Sequence, residues 1–207
     1  MAFWQAAKAV SAEKALQDRL AAMPEGMRPI VVCGGSFSSS ARRVPIRKED
    51  RELIDELLAK ADPAKVVFVV GHTLAGQEGY LVRKAAGRFR IYAIVPSLLT
   101  RAAAEALRAA GVGILISIES SGLGLYKSVS YEVFRTSPSV LLAFDGNSAA
   151  MNLIQQARNS SNRHQIFINP RPRGLTEKAR MLEGYVRKMG NAEEILASAD
   201  GSAGPEK

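Results

Sequence analysis

The sequence predicts an α/β fold, a Rossmann-like, doubly wound, mostly parallel sheet of about six strands with helices on both faces. Six short runs of apolar, often β-branched residues alternate along the chain with segments of helical periodicity. The runs are apolar throughout, as a sheet covered on both faces requires. Short connections between the runs and the helical segments favour parallel strands with right-handed crossovers.

Each predicted strand ends at a turn signal. In chain order the strands are residues 29–33, 65–70, 90–95, 113–118, 139–144 and 165–168. The predicted helices are residues 48–60, 78–86, 99–110, 127–135, 149–159 and 175–189. In the first helix Leu53, Ile54 and Leu57 fall on one side, which predicts an apolar face packed on the sheet.

The length and composition predict a single main domain. A chain of 207 residues with 47% hydrophobic and 23% charged residues is typical of a soluble globular protein. We assign residues 28–190 to one Rossmann-like domain and residues 1–24 to an amphipathic N-terminal helix. Residues 199–207 are small and polar, which predicts a flexible tail.

The composition also limits which cellular compartment and which cofactors we expect for this protein. The apolar runs are far shorter than the roughly 20 residues of a membrane-spanning helix, so we expect no membrane partner. The one cysteine, Cys33, cannot form an intrachain disulfide, which favours the cytoplasm, and we expect it to be an inert core residue. Two histidines and one cysteine predict no metal site, and no cofactor is expected to be required, although a nucleotide ligand is compatible.

Ligands of open parallel sheets bind beyond the carboxyl ends of the strands, which directs attention to the loops that follow them. After the first strand come Gly34, Gly35 and Ser36, where glycines allow close backbone approach and a hydroxyl can donate to phosphate. The segment is not a Walker sequence, and a plain polar loop is the alternative.

The loop after the second strand combines glycines with two titratable side chains. Gly71 follows the strand and Gly76 opens the next helix, so free amides are expected to point at a pocket. His72 and Glu78 would orient a ribose or, if the protein is an enzyme, transfer protons. Alternatively, Glu78 only complements the helix dipole and His72 packs in a turn.

The loop after the fifth strand has a similar design. Asp145 is predicted to bind a ribose diol, or to act as a catalytic acid in an enzyme, while Gly146 permits a tight turn. Asn147 and Ser148 are predicted to bind phosphate or sugar hydroxyls, although Ser148 is equally suited to be a helix N-cap. Lys127, which opens another helix, is a weaker phosphate-binding candidate.

The chain is basic, with a net charge of +8, and this favours an anionic ligand or nucleic acid. Five arginines follow the first and last predicted strands and would form a rim at the ligand edge: Arg42, Arg43, Arg47, Arg171 and Arg173. They do not distinguish a nucleotide from a nucleic-acid strand.

From residue 29 to residue 170 the chain resembles the Smf/DprA–LOG (SLOG) superfamily of Rossmann-like nucleotide-binding proteins. The likeness lies in VVCGGS, in VVFVVGHTLAGQEGYLV with RIYAIVP, and in SVLLAFDGNSAAMNLIQQA. The last segment stands where "lonely guy" phosphoribohydrolases carry Pro-Gly-Gly-x-Gly-Thr-x-x-Glu. Here Asn147 replaces the second glycine and Leu153 occupies the glutamate position, so the resemblance implies no hydrolase of that type.

The resemblance also implies several kinds of partner. The DNA-processing branch of the superfamily binds single-stranded DNA, other members sense nucleotide signals, and members are commonly homodimers. The leading hypothesis is therefore binding of a nucleotide or nucleotide-derived ligand, as a sensor that acts through partners. The alternatives are an N-glycosidic or phosphoribosyl hydrolase, a single-stranded nucleic-acid binder, and a structural subunit with a vestigial pocket.

Overall fold

The fold is that of a computed structural model, which describes residues 26–34, 45–116, 127–136, 138–146, 148–160, 164–169 and 187–200. Its strands are β1 (Arg28–Cys33), β2 (Val66–Gly71), β3 (Arg90–Val95), β4 (Gly113–Ile116), β5 (Val140–Ala143), β6 (Gln165–Ile168) and β7 (Arg187–Lys188). Its helices are α1 (Lys48–Lys60), α2 (Gly76–Ala85), α3 (Arg101–Ala109), α4 (Lys127–Thr136), α5 (Ser148–Asn159) and α6 (Ala192–Ala199).

The seven strands form one parallel sheet in the order β4-β3-β2-β1-β5-β6-β7. The central strand is β1, whose Val31 lies opposite Val69 on one side and Leu141 on the other. The predicted doubly wound parallel sheet is confirmed, and β7 is an additional strand of two residues.

Helices cover both faces of the sheet, as the wholly apolar strands predict. One core contains apolar side chains of α1, α2, α3 and α6, with Leu57, Leu81 and Ile195 among them. The other core contains those of α4 and α5, with Phe134 and Ile154 among them. Strand residues alternate between the two cores, so both faces of each central strand are buried.

Two features near the end of the chain differ from the prediction. The prediction of a helix over residues 175–189 is wrong at its C-terminal end, because Arg187 and Lys188 pair with β6 as a strand. Helix α6 was not predicted, although Ala192, Ile195 and Ala199 are buried in the core. Residues 1–25 and 201–207 lie outside the described part of the chain, so the N-terminal helix and the tail remain predictions.

The strand order places a switch point between β1 and β5. The chain builds β1 to β4 in one direction and then returns to the other side of β1 to build β5 to β7. The chain leaves β1 for α1 on one face of the sheet and leaves β5 for α5 on the other face. Open α/β sheets form a crevice at the carboxyl edge of such a switch point.

Candidate functional site

The two loops that flank the switch point are in close contact. The Phe144 N–H donates to the Cys33 carbonyl at 3.0 Å, which extends the pairing of β5 with β1. Gly34 has a φ of +149°, and a Cβ there would lie 2.9 Å from the Asp145 amide nitrogen. A side chain at position 34 would therefore force β1 and β5 apart at the site.

Glu78 joins the ends of β1 and β2. Its side chain is buried in the first turn of α2, where Oε1 accepts from the Gly34 N–H at 3.0 Å. Oε2 accepts from the Gly71 N–H at 2.6 Å. A carboxylate that accepts two backbone N–H groups is a strong structural anchor. The position of Glu78 at the start of a helix was predictable from the sequence, but this pair of contacts was not.

The loop between β2 and α2 has an unusual backbone. Leu74 adopts a left-handed φ of +48°, and Gly76 has a φ of +54°. A Cβ at Gly79 would overlap the Leu74 carbonyl, so the start of α2 packs directly on this turn. The strained Leu74 conformation persists because the surrounding contacts fix it.

His72 lies half-buried at the carboxyl edge of β2, as predicted. Burial lowers its pKa, and a hydrogen bond with the Ile94 backbone only partly offsets this effect. Its Nδ1 is buried and has no hydrogen-bond partner within the described residues. The imidazole is therefore neutral at neutral pH.

Asp145 is fully buried and is held by two side chains. Its Oδ1 accepts from Arg47 Nη2 at 2.8 Å, and its Oδ2 accepts from Gln77 Nε2 at 2.8 Å. Of the predicted rim of five arginines, only Arg47 lies in the described part of the chain. Its side chain is 24% exposed and pairs with Asp145, so it is not a free surface cation.

Three further polar residues complete a buried network that the sequence analysis missed. Gln77 Nε2 also donates to Asp50 Oδ2 at 2.9 Å, and Asn169 Nδ2 donates to Asp50 Oδ1 at 2.9 Å. Arg47 Nε lies 3.6 Å from Asp50 Oδ2 and closes the ring. Asn169 directly follows β6, and Asp145 comes two residues after the end of β5. This strand-end position is the signal that would have identified Asn169.

The network has an excess of negative charge. Among the described residues, the hydrogen-bonded ring has two carboxylates for one guanidinium. The buried Glu78 carboxylate is nearby, because it accepts from the Gly34 N–H and Gly34 packs against the Asp145 backbone. The pKa of the Cys33 thiol is raised, first by burial and then by the Glu78 and Asp145 carboxylates. Cys33 is thus a buried, protonated thiol with little nucleophilic character, as expected.

A cavity of about 490 Å³ opens beside the network, between α1 and the ends of β6 and β7. This volume lies within the range of small-molecule sites. Its lining residues are Arg47, Glu49, Asp50, Leu53, Asn169, Met189 and Gly190. Arg47, Asp50 and Asn169 of the hydrogen-bonded network therefore form one wall of the cavity. Leu53 and Met189 supply an apolar surface.

The other predicted site residues fall into two groups. Ser148 and Lys127 begin α5 and α4, and Gly146 has a φ of +153° just before α5. The remaining predicted site residues lie outside the described residues: Gly35, Ser36, Asn147, Arg42, Arg43, Arg171 and Arg173.

The described residues show neither a metal-binding cluster nor a membrane-spanning helix. They contain no group of three or more His, Cys, Asp or Glu side chains that could hold a metal ion. Within the same residues, no helix has both the length and the apolar character needed to cross a membrane.

Comparison with solved structures identifies proteins of the same fold. The structure called TM1055, from the Northeast Structural Genomics Consortium, has a TM-score of 0.54 and 15% identity over 82% of this chain and 96% of its own. DNA processing protein A from Helicobacter pylori, described for its single-stranded DNA binding mode, has a TM-score of 0.55 and 12% identity over 83% of this chain and 80% of its own. No family model and no curated protein matches the sequence. At 15% and 12% identity, these two likenesses show a shared fold alone.

Proposed function

We propose that this protein binds a nucleotide or nucleotide-derived ligand at the carboxyl edge of its sheet. The observation that carries the proposal is the switch point between β1 and β5, where Gly34 and Gly146 adopt positive φ beside a buried polar network. Parallel α/β sheets bind their ligands in this crevice. Fixed side chains around an adjoining cavity give the preorganised surroundings that a binding site needs.

The phosphate is assigned to the α5 side of the crevice. Helix α5 begins at Ser148, directly after the β5 loop, and the amides of a helix N-terminus favour an anion. Gly146, Asn147 and Ser148, with Gly35 and Ser36, are the residues we assign to phosphate. The cavity on the α1 side disfavours phosphate, because among its described lining residues the carboxylates of Glu49 and Asp50 outnumber the one guanidinium, that of Arg47.

Binding without hydrolysis is favoured over catalysis. Glu78 accepts backbone N–H groups on both oxygens, and Asp145 accepts side-chain N–H groups on both. Neither buried carboxylate is poised to activate water or stabilise a developing cation, because each is already committed to fixed donors. We therefore propose a sensor that acts through its bound state, with Glu78 as a positioning residue.

Single-stranded nucleic-acid binding is the second candidate. The net charge of +8 and the shared fold with DNA processing protein A favour it. Pairing of Arg47 with Asp145 removes one cation from the proposed rim, which weakens this alternative. The two functions differ in salt sensitivity, because release of counterions makes nucleic-acid binding fall steeply as salt rises.

A thermal-shift screen at low and high salt tests the proposal. The panel contains nucleoside mono-, di- and triphosphates, NAD, ADP-ribose, cyclic nucleotides and a short single-stranded oligonucleotide. A nucleotide at about 100 times its Kd stabilises the fold by about 2.7 kcal/mol, and we expect this shift to persist at high salt. A shift with the oligonucleotide alone that is lost in salt would support the second candidate, and no shift with any nucleotide would refute the proposal.

Two glycine variants provide the matched control. Gly34→Ala places a Cβ against the β5 backbone at the site, whereas Gly87→Ala, at a φ of +77°, meets nothing within 4 Å. Both substitutions strain a positive φ, but Gly87 lies between α2 and β3, at the opposite end of the strands. The ligand-induced shift is expected to disappear in Gly34→Ala and to survive in Gly87→Ala.

A further inference from the structure

We propose that the cavity between α1 and the ends of β6 and β7 receives the nucleoside part of the ligand, its base and ribose, while the phosphates stay outside it. This inference rests on the proposed function and adds the orientation of the ligand within the site. It follows from the shape, the charge and the hydrogen-bonding groups of the cavity wall.

The polar wall is rigid before any ligand binds. Asp50 and Asn169 line the cavity, are almost fully buried, and are joined by a hydrogen bond of 2.9 Å. Gln77 bridges Asp50 to Asp145 behind them, and Arg47 contacts both carboxylates. A buried network of this kind holds its members in one arrangement, which lowers the entropic cost of binding a ligand.

The charge of the wall disfavours phosphate. Asp50 and Glu49 line the cavity directly, Asp145 lies behind it, and Arg47 is the one described cation among the lining residues. From the described lining residues, an incoming phosphate would meet more negative than positive charge in a partly desolvated space. Neutral groups that donate hydrogen bonds, such as ribose hydroxyls and exocyclic amines, are suited to the carboxylate acceptors.

The remaining lining residues suit a base. Leu53 and Met189 provide apolar contact, and a methionine thioether packs favourably against aromatic rings. The volume of about 490 Å³ accommodates a nucleoside.

Calorimetric titration of the full chain tests this orientation. The probes are adenosine, guanosine, cytidine and uridine, each compared with its 5′-monophosphate. Leu53→Trp fills the cavity from a half-buried position, and Leu98→Trp adds the same ring at an exposed position elsewhere, so that it serves as the control. We expect Leu53→Trp to weaken one nucleoside and its monophosphate by the same factor, about tenfold or more, and Leu98→Trp to change neither.

A second pair of variants avoids the core altogether. Glu49→Lys changes an exposed carboxylate at the cavity, and Glu52→Lys makes the same change at an exposed position on the same helix. Nucleoside binding is expected to weaken in the first variant and to stay unchanged in the second. Monophosphate binding at wild-type strength in both Leu53→Trp and Glu49→Lys would overturn the inference and leave the proposed function intact. A wild-type chain that binds no nucleotide would instead overturn the proposed function, and this inference with it.

Discussion

Glu78 illustrates how one residue can serve two purposes that a sequence cannot separate. An acid in the first turn of a helix is favourable for the helix dipole alone. Here the buried carboxylate also binds the amides of Gly34 and Gly71, at the ends of two neighbouring strands. These two hydrogen bonds fix the distance between the ends of β1 and β2 at the carboxyl edge of the sheet.

Replacing Glu78 with glutamine tests the anchoring role. Glutamine keeps one oxygen acceptor but presents an NH2 donor to the second backbone N–H, so one buried amide loses its partner. We expect Glu78→Gln to lower the free energy of unfolding by about 2–3 kcal/mol, measured by urea denaturation. Glu105→Gln on α3 is the control, because Glu105 is exposed and pairs only with Arg101 among the partners the structure describes. An unchanged urea midpoint for Glu78→Gln would contradict the anchoring role.

At the scale of elements, the sequence was sufficient to predict six of the seven described strands and five of the six described helices. Residues 48–60 and 90–95 were predicted with their observed bounds, because local periodicity and flanking turn residues mark them. Helix α6 was missed because its small residues, Ala192 and Ala199, were not recognised as a buried face.

The contacts of the site were far less predictable than its elements. Asp145, Gly34 and Glu78 were selected because each stands next to a strand or helix end, which is a local property. Asn169 and Asp50 are 119 residues apart, and Gln77 and Asp145 are 68 apart. Only the order of strands in the sheet brings such residues together, and no local pattern encodes these pairings.

Gln77 connects three elements, and its substitution tests the network. From the first turn of α2 it donates both to Asp50 on α1 and to Asp145 after β5. Gln77→Glu removes these donors and adds a third buried negative charge, so we expect a loss of about 3–5 kcal/mol in unfolding free energy. The control is Gln155→Glu on the exposed side of α5, which should leave the urea midpoint nearly unchanged. A similar small effect for both variants would show that the network does not stabilise the fold.

At the scale of the whole molecule, local charge and net charge have opposite signs. The chain carries +8, yet the described part of the candidate site holds buried carboxylates in excess of its one arginine. Net charge therefore governs the approach of anionic partners from a distance, while the site selects among them at contact. A basic composition is for this reason a poor guide to which end of a nucleotide the cavity receives.

The pH dependence of the free energy of unfolding tests the burial of His72 and His164, which are the two histidines of the chain. Burial lowers the pKa of both His72 and His164, so between their folded pKa values and about 6.5 the unfolded chain binds more protons. The contribution of each buried histidine to the free energy of unfolding is therefore fully present above about pH 6.5. It is lost as the pH falls through the folded pKa values, by up to about 1.4 kcal/mol per pH unit for each histidine.

Substitution of His164 separates the two contributions. His164 Nδ1 accepts from the Ser139 N–H at 3.2 Å, and the side-chain oxygen of His164→Asn can take over this role without titrating. Urea unfolding measured between about pH 7.5 and 5.5 should give a smaller slope for this variant than for the wild-type chain, since His72 is then the one histidine that titrates in the window. An identical slope in the two proteins would mean that His164 is protonated equally in the folded and unfolded chains, and that its burial at the start of β6 has no energetic consequence in this range.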